Sequence, residues 1–228
     1  MPSSPDHPAD LVAPDAAPGL PDPQPPYWAE ACRTLARKDR VMKKLIANAA
    51  NGPVLQSRGD AYTTLLRSVV GQQISVKAAQ AVWQRFSALA NPLTPEALLR
   101  LRIDDMRAAG LSARKVDYVV DLSLRFASGD LRTAQWDAMS DEEVIQALVA
   151  VRGIGRWTAE MFLIFHLRRP NVLPLDDVGL VNGIRAAYFS GEAVSRSDVR
   201  EVAQAWSPFA TVATWYIWRS LEPVPVPH

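Results

Sequence analysis

From Tyr27 onward, apolar residues recur at helical spacing almost without interruption, and no segment alternates apolar and polar positions as a half-buried strand does. Tyr62, Leu65, Leu66, Val69 and Val70 fall at i, i+3, i+4, i+7 and i+8, on one stripe of an amphipathic helix. A second helix is predicted to open at Ser75 and to bury Val76, Ala79, Trp83 and Phe86. Further helices are predicted near 94–109, 113–127, 140–149, 156–168, 178–188, 198–206 and 210–220. The pattern is that of an all-α protein without internal repeats.

The sharpest local signal lies between Ser140 and Ala159. Ser140 and Glu143 are spaced as a capping box, and Val144, Ile145 and Leu148 share a face, so a helix opens there. It stops at Arg152-Gly153-Ile154-Gly155, where the glycines allow backbone conformations closed to other residues and leave the main chain open to a ligand. The next helix starts near Arg156. Its unpaired amides and positive dipole end face out of the turn, an arrangement suited to a DNA phosphate, which makes Arg152, Gly153, Gly155, Arg156 and Thr158 candidate backbone contacts.

Twenty-two residues after Gly155 stands Asp177, just before a helix predicted to begin at Val178, with Pro174 shaping the approach. An aspartate in that position is most often a cap. Ionised beside a sugar, it also stabilises positive charge on C1′ or orients water, as carboxylates do in glycoside hydrolysis. The pair leaves room for both tasks, Asp176 as the cap and Asp177 as the residue that does the chemistry.

In order along the chain, Gly71-Gln72-Gln73-Ile74-Ser75, the glycine hairpin, Asp176-Asp177, and Trp206-Ser207-Pro208 through Trp218-Arg219 resemble the landmarks of the helix-hairpin-helix DNA glycosylases. The likeness extends from about Asp60 to Leu221 and is nearest to the bacterial alkylpurine glycosylases of the 3-methyladenine type II kind. It implies two helical lobes with a cleft between them, one from about 62 to 170 and the other from the remainder. It also implies a short form without the β-rich domain that precedes the helices in the long enzymes.

For the site, the resemblance implies that Asp177 is catalytic and that Trp157, Trp218, Met161 and Val178 line the pocket of a flipped, positively charged base, held in part by cation–π attraction. Met161 and Val178 stand where the long enzymes carry tyrosines, which implies a wider pocket. Gln73 matches the wedge that fills the gap left by the base, a position apolar in the long enzymes. Relatives that also nick the strand carry a lysine at the position of Trp157, and an indole forms no Schiff base, so the expected reaction is hydrolysis alone. The carbonyls of Val149, Val151 and Ile154 match those that hold a Na+ or K+ ion beside a phosphate. The implied partner is double-stranded DNA containing alkylated bases, bound by a monomer. A non-catalytic helix-hairpin-helix DNA-binding protein, and a glycosylase for another damaged base, remain open at this stage.

Composition bounds these readings. With 228 residues, 48% of them apolar, the chain supports a globular domain. A formal charge of +1 excludes binding to nucleic acid by bulk electrostatics and leaves local pairs such as Arg152/Arg156, Arg168/Arg169, Arg114/Lys115 and Lys43/Lys44. The single cysteine, Cys32, excludes an internal disulfide and a four-cysteine iron–sulfur cluster. His7, His166 and His228 are too scattered for a transition-metal site. No apolar run is long enough for a membrane, and the expected location is cytoplasmic. Of the seven tryptophans, Trp83 and Trp206 are read as core, while Trp136 and Trp215 are undecided. Residues 1–26 hold nine prolines and are expected to be a disordered tail before the helical domain at 27–222, with a second short tail at 223–228.

Overall fold

The structure, a computed structural model, describes residues 24–49, 55 and 59–221; the tails predicted at 1–26 and 223–228 fall outside it save for 24–26. The described residues form α1 (Trp28–Lys38), α2 (Arg40–Asn48), α3 (Ala61–Gly71), α4 (Val76–Ser87), α5 (Pro95–Leu99), α6 (Ile103–Ala108), α7 (Ala113–Ser128), α8 (Asp141–Val149), α9 (Arg156–Phe165), α10 (Val178–Tyr188), α11 (Arg196–Ala203) and α12 (Ala210–Arg219). Short 3₁₀ helices occupy Thr133–Ala138 and Gln204–Trp206. No strand occurs among the described residues, and no helix among them is long and apolar enough to cross a membrane.

The chain divides into two compact units, and the division falls inside α9, after Phe162. In the first unit α3 packs on α4 and α7, and α5 and α6 pack on α7. The α3 stripe is wholly buried, as its spacing requires, and each such side chain contributes about 1.5–3 kcal/mol of transfer free energy. The polar end of Tyr62 is satisfied by Ser123 at 2.8 Å, and Ser123 in turn donates to the Val119 carbonyl. Asp60, Ser75, Thr94, Ser112 and Ser140 cap α3, α4, α5, α7 and α8 with their side chains, the last through the full capping box. Trp136 is core, edge-on to Phe126 and Phe162, and Trp83 is half-buried with the Arg67 guanidinium over its ring.

In the second unit α12 packs on α1, α2 and α10. Gly183 of α10 meets α12 so closely that a Cβ there would lie 2.3 Å from Ile217 Cγ2. Asp39 joins three elements: its Oδ1 accepts from the Val41 and Met42 amides at the start of α2, and its Oδ2 accepts from Tyr188 and from the buried Trp206 indole. Trp215 is half-buried and edge-on to Trp28 and Phe165.

The helix predicted over 94–109 is two short ones. The Arg100 and Leu101 amides bond back three residues or fewer, which winds α5 to a stop, and Arg102 turns to extended backbone before α6. The helix predicted to reach 168 ends at Phe165, ahead of Arg168 at φ +52° and Pro170. The helix expected at 198–206 starts earlier, because Ser195 and Asp198 form a second capping box, and tightens to 3₁₀ at Gln204.

Candidate active site

Asp177 is 1% exposed and sits at the N-terminus of α10. Its Oδ1 accepts two hydrogen bonds, from the Leu180 amide at 2.6 Å and from Trp218 Nε1 at 2.8 Å. The expected division of labour between the two aspartates is therefore corrected. The residue immediately before the first helical one has the extended backbone that turns its side chain onto the helix amides, and that residue is Asp177. Asp176 lies one position too far out, is exposed, and pairs with Arg196 at the start of α11. The side chain that caps α10 is therefore that of Asp177, at the helix end where the dipole favours an anion.

Trp218 is fully buried, with its ring stacked on Phe165 at 5.8 Å and 8°. Its observed task is to support the acid. The segment leading to Asp177 is fixed on α12 as well: the buried Thr211 hydroxyl donates to the Arg169 carbonyl and accepts from the Val172 amide, and Asn171 accepts from the Ala210 amide. One helix thus holds the approach at its first turn and the carboxylate at its last. Val178, next to the acid, is 59% exposed.

The first unit carries the hairpin. Val151 to Gly155 link α8 to α9, with Gly153 at φ +85°. The ring of Tyr118 on α7 lies directly beneath Gly153, and a Cβ there would be 2.2 Å from it, so the turn needs glycine for conformation and for space. Gly155 has nothing within 4 Å of a Cβ. The open position is where an incoming backbone would need the room. The turn is held from below by the Asp121 carboxylate, which accepts from the Arg152 amide at 2.9 Å and from Arg125 Nε, and by Gln72 Nε2, which donates to the Gly153 carbonyl at 2.9 Å.

Around this frame, Arg152 is exposed, Thr158 and Met161 are buried, and Trp157 is half-buried in the first turn of α9. Val149 is exposed, whereas Val151 and Ile154 are buried and joined by an Ile154 amide to Val151 carbonyl bond. Arg156 is already engaged, bidentate with Glu142 at 2.7 and 3.0 Å and at 3.1 Å from Glu160. Its guanidinium holds the Glu142 carboxyl down to about 2. Lys115, one of the basic pairs read as a possible contact, donates instead to the Val70 carbonyl at 2.6 Å, and its burial lowers the ammonium pKa. Gln73 is exposed and left-handed at φ +59°.

Asp121, Tyr118 and Gln72 escaped the sequence reading. Asp121 and Tyr118 sit in an ordinary helix far from the hairpin in sequence, and only Gln72, beside the expected wedge, carried any signal.

Residues 66–208 match the HhH-GPD superfamily of base excision DNA repair proteins, and the chain belongs to that family. It is 35% identical over 181 residues to DNA-3-methyladenine glycosylase 1 of Schizosaccharomyces pombe, covering 78% of this chain and 79% of that one. The solved structure of the 3-methyladenine DNA glycosylase Mag1 from the same yeast, in complex with abasic DNA, aligns with a TM-score of 0.74 at 34% identity, over 84% of this chain and 96% of that one. A crystal structure of a DNA-3-methyladenine glycosidase from Bacillus halodurans aligns with a TM-score of 0.78 at 34% identity, over 83% and 88%.

Proposed function

We propose that the chain is a monofunctional DNA glycosylase that flips alkylated bases of the 3-methyladenine and 7-methylguanine type out of duplex DNA and hydrolyses their N-glycosidic bond. The observation that carries the reading is a buried carboxylate, Asp177, fixed on one oxygen by a helix amide and an indole N–H, in a chain whose relatives are named DNA-3-methyladenine glycosylase or glycosidase. An alkylated purine carries positive charge and leaves as a neutral base. The residue has only to stabilise the cation forming at C1′ and to orient the water that attacks it, leaving a free base and an abasic sugar. Trp157 supplies no amine at the hairpin, so the strand is left intact.

The hairpin takes a backbone phosphate on the amides beyond Gly155, with Arg152 and Thr158 beside it, and the carbonyls of Val149, Val151 and Ile154 would hold a Na+ or K+ ion, which would offset part of the phosphate charge. The Val151 carbonyl already takes one amide and keeps its second lone pair for such an ion. Gln73 enters the stack, and Val178, exposed beside Asp177, borders the departing base. The protein works as a monomer in the cytoplasm, with the DNA it repairs.

The test is to incubate the purified protein with methylated duplex DNA and identify the bases set free, with Asp177→Asn alongside. The amide oxygen of Asn accepts the same two hydrogen bonds, so the variant folds and binds DNA but releases no base. Equal release by both proteins removes Asp177 from the chemistry, and no release by either removes the reading.

A further inference from the structure

We propose that Gln72 is a positioning residue that ties the Gln73 turn to the hairpin, so that gripping a DNA strand and entering it are one rigid event; this rests on the reading of Gln73 as the wedge. Gln72 caps the C-terminus of α3, and its side chain crosses eighty-one residues of sequence to the Gly153 carbonyl. That carbonyl belongs to the turn that Asp121 and Tyr118 hold from the side of α7. Just before the Gln73 turn, Lys115 takes the Val70 carbonyl, and just after it Ser75 caps α4. Gln73 is therefore the one exposed, left-handed residue in a turn whose backbone is pinned on both sides.

A glutamine seldom holds that conformation unless its surroundings impose it. A side chain that parts stacked bases must keep its place when the stack pushes back. The bond from Gln72 transmits that push to the element that holds the phosphate.

The experiment places 2-aminopurine beside an alkylated base in a duplex and follows its fluorescence, which rises on unstacking, while released bases are counted in the same samples. The proteins are the full chain, Gln72→Met, Gln72→Glu, Gln73→Ala and the Gln72→Met/Gln73→Ala pair. Methionine keeps the unbranched stem without a donor, and glutamate sets a carboxylate against the carbonyl. Each Gln72 variant is expected to lower the unstacking equilibrium about fivefold, the worth of one hydrogen bond, with affinity for undamaged duplex within about twofold because the phosphate contacts remain. In the Gln73→Ala background the Gln72 change adds nothing, since the wedge it positions is gone. Wild-type unstacking in both Gln72 variants, additive losses in the pair, or an equal loss of affinity for undamaged DNA would overturn the proposal. A wild-type chain that unstacks the duplex without freeing a base sinks the glycosylase reading alone, and one that does not unstack it overturns the wedge and its strut together.

Discussion

At the scale of single residues, the acid is defined by what holds it. Trp218 packs its ring on Phe165 and spends its N–H on Asp177, so Trp218→Phe removes the donor and keeps the ring. Hydrogen bonds to charged groups are worth about 1.5–3 kcal/mol, and turnover in single-turnover base release is expected to fall about tenfold or more, with KM little changed. The same turnover as wild type would show that the Trp218 N–H is not needed to hold the carboxylate in place. Arg156 poses the opposite case, a cation read as a phosphate contact but already bound by two acids. Glu142→Gln keeps a polar neighbour and removes a charge that both occupies Arg156 and repels a strand. Affinity for undamaged duplex is expected to rise, and the salt dependence of binding to steepen by about one unit of slope, one more phosphate neutralised. Titration of fluorescent duplex at several salt concentrations reads both, and an unchanged slope would leave Arg156 a structural partner of α8.

Among the elements, the hairpin separates what a turn needs to fold from what it needs to bind. Gly153→Ala drives a methyl into the Tyr118 ring at a positive φ, and stability is expected to fall by about 2–4 kcal/mol. Gly155→Ala meets open space, and stability should change by less than about 1 kcal/mol. Affinity for duplex should nevertheless drop if, as proposed, the phosphate sits on the amides beyond Gly155, because the methyl would then crowd the strand backbone. Thermal melts and binding isotherms of the two variants test this, and a Gly155→Ala protein that binds as well as wild type would move the phosphate elsewhere. The same element shows what was legible. The helix from Ser140 and the one at Val178 announced themselves because caps and apolar stripes are local signals, and the glycines marked the turn. The break between α5 and α6 was hidden, since Leu98 and Met106 are both buried and apolar spacing continues across it. The partners of the hairpin were hidden for a different reason: Asp121 lies thirty-one residues from the amide it accepts, and nothing in helix periodicity reports such a contact. The aspartates misled because their spacing permitted either as the cap, and only backbone geometry decides between them.

For the whole molecule, charge and burial pull in different directions. A net charge of +1 gives DNA little long-range attraction, so affinity must come from a few local contacts, and unfolding at neutral pH gains little from relief of self-repulsion. One pH limit lies on the alkaline side. Burial pushes the tyrosine hydroxyls up to about 12 for Tyr62 in the first unit, and for Tyr27 and Tyr216 in the second. Tyr188 is pushed up as well, by burial first and then by its bond to Asp39. In the unfolded chain these groups ionise near pH 10. A folded pKa above the unfolded one means that the native state holds the proton longer, so this stability is whole below about pH 10 and is lost as pH rises towards about 12. Denaturant unfolding at successive pH values should show a free energy that declines from about pH 10 upward, with tyrosinate absorbance appearing together with loss of helix. Because the raised tyrosines lie in both units, both should weaken over the same interval. A flat profile with tyrosinate forming in the folded protein would mean that water reaches these hydroxyls in the native state.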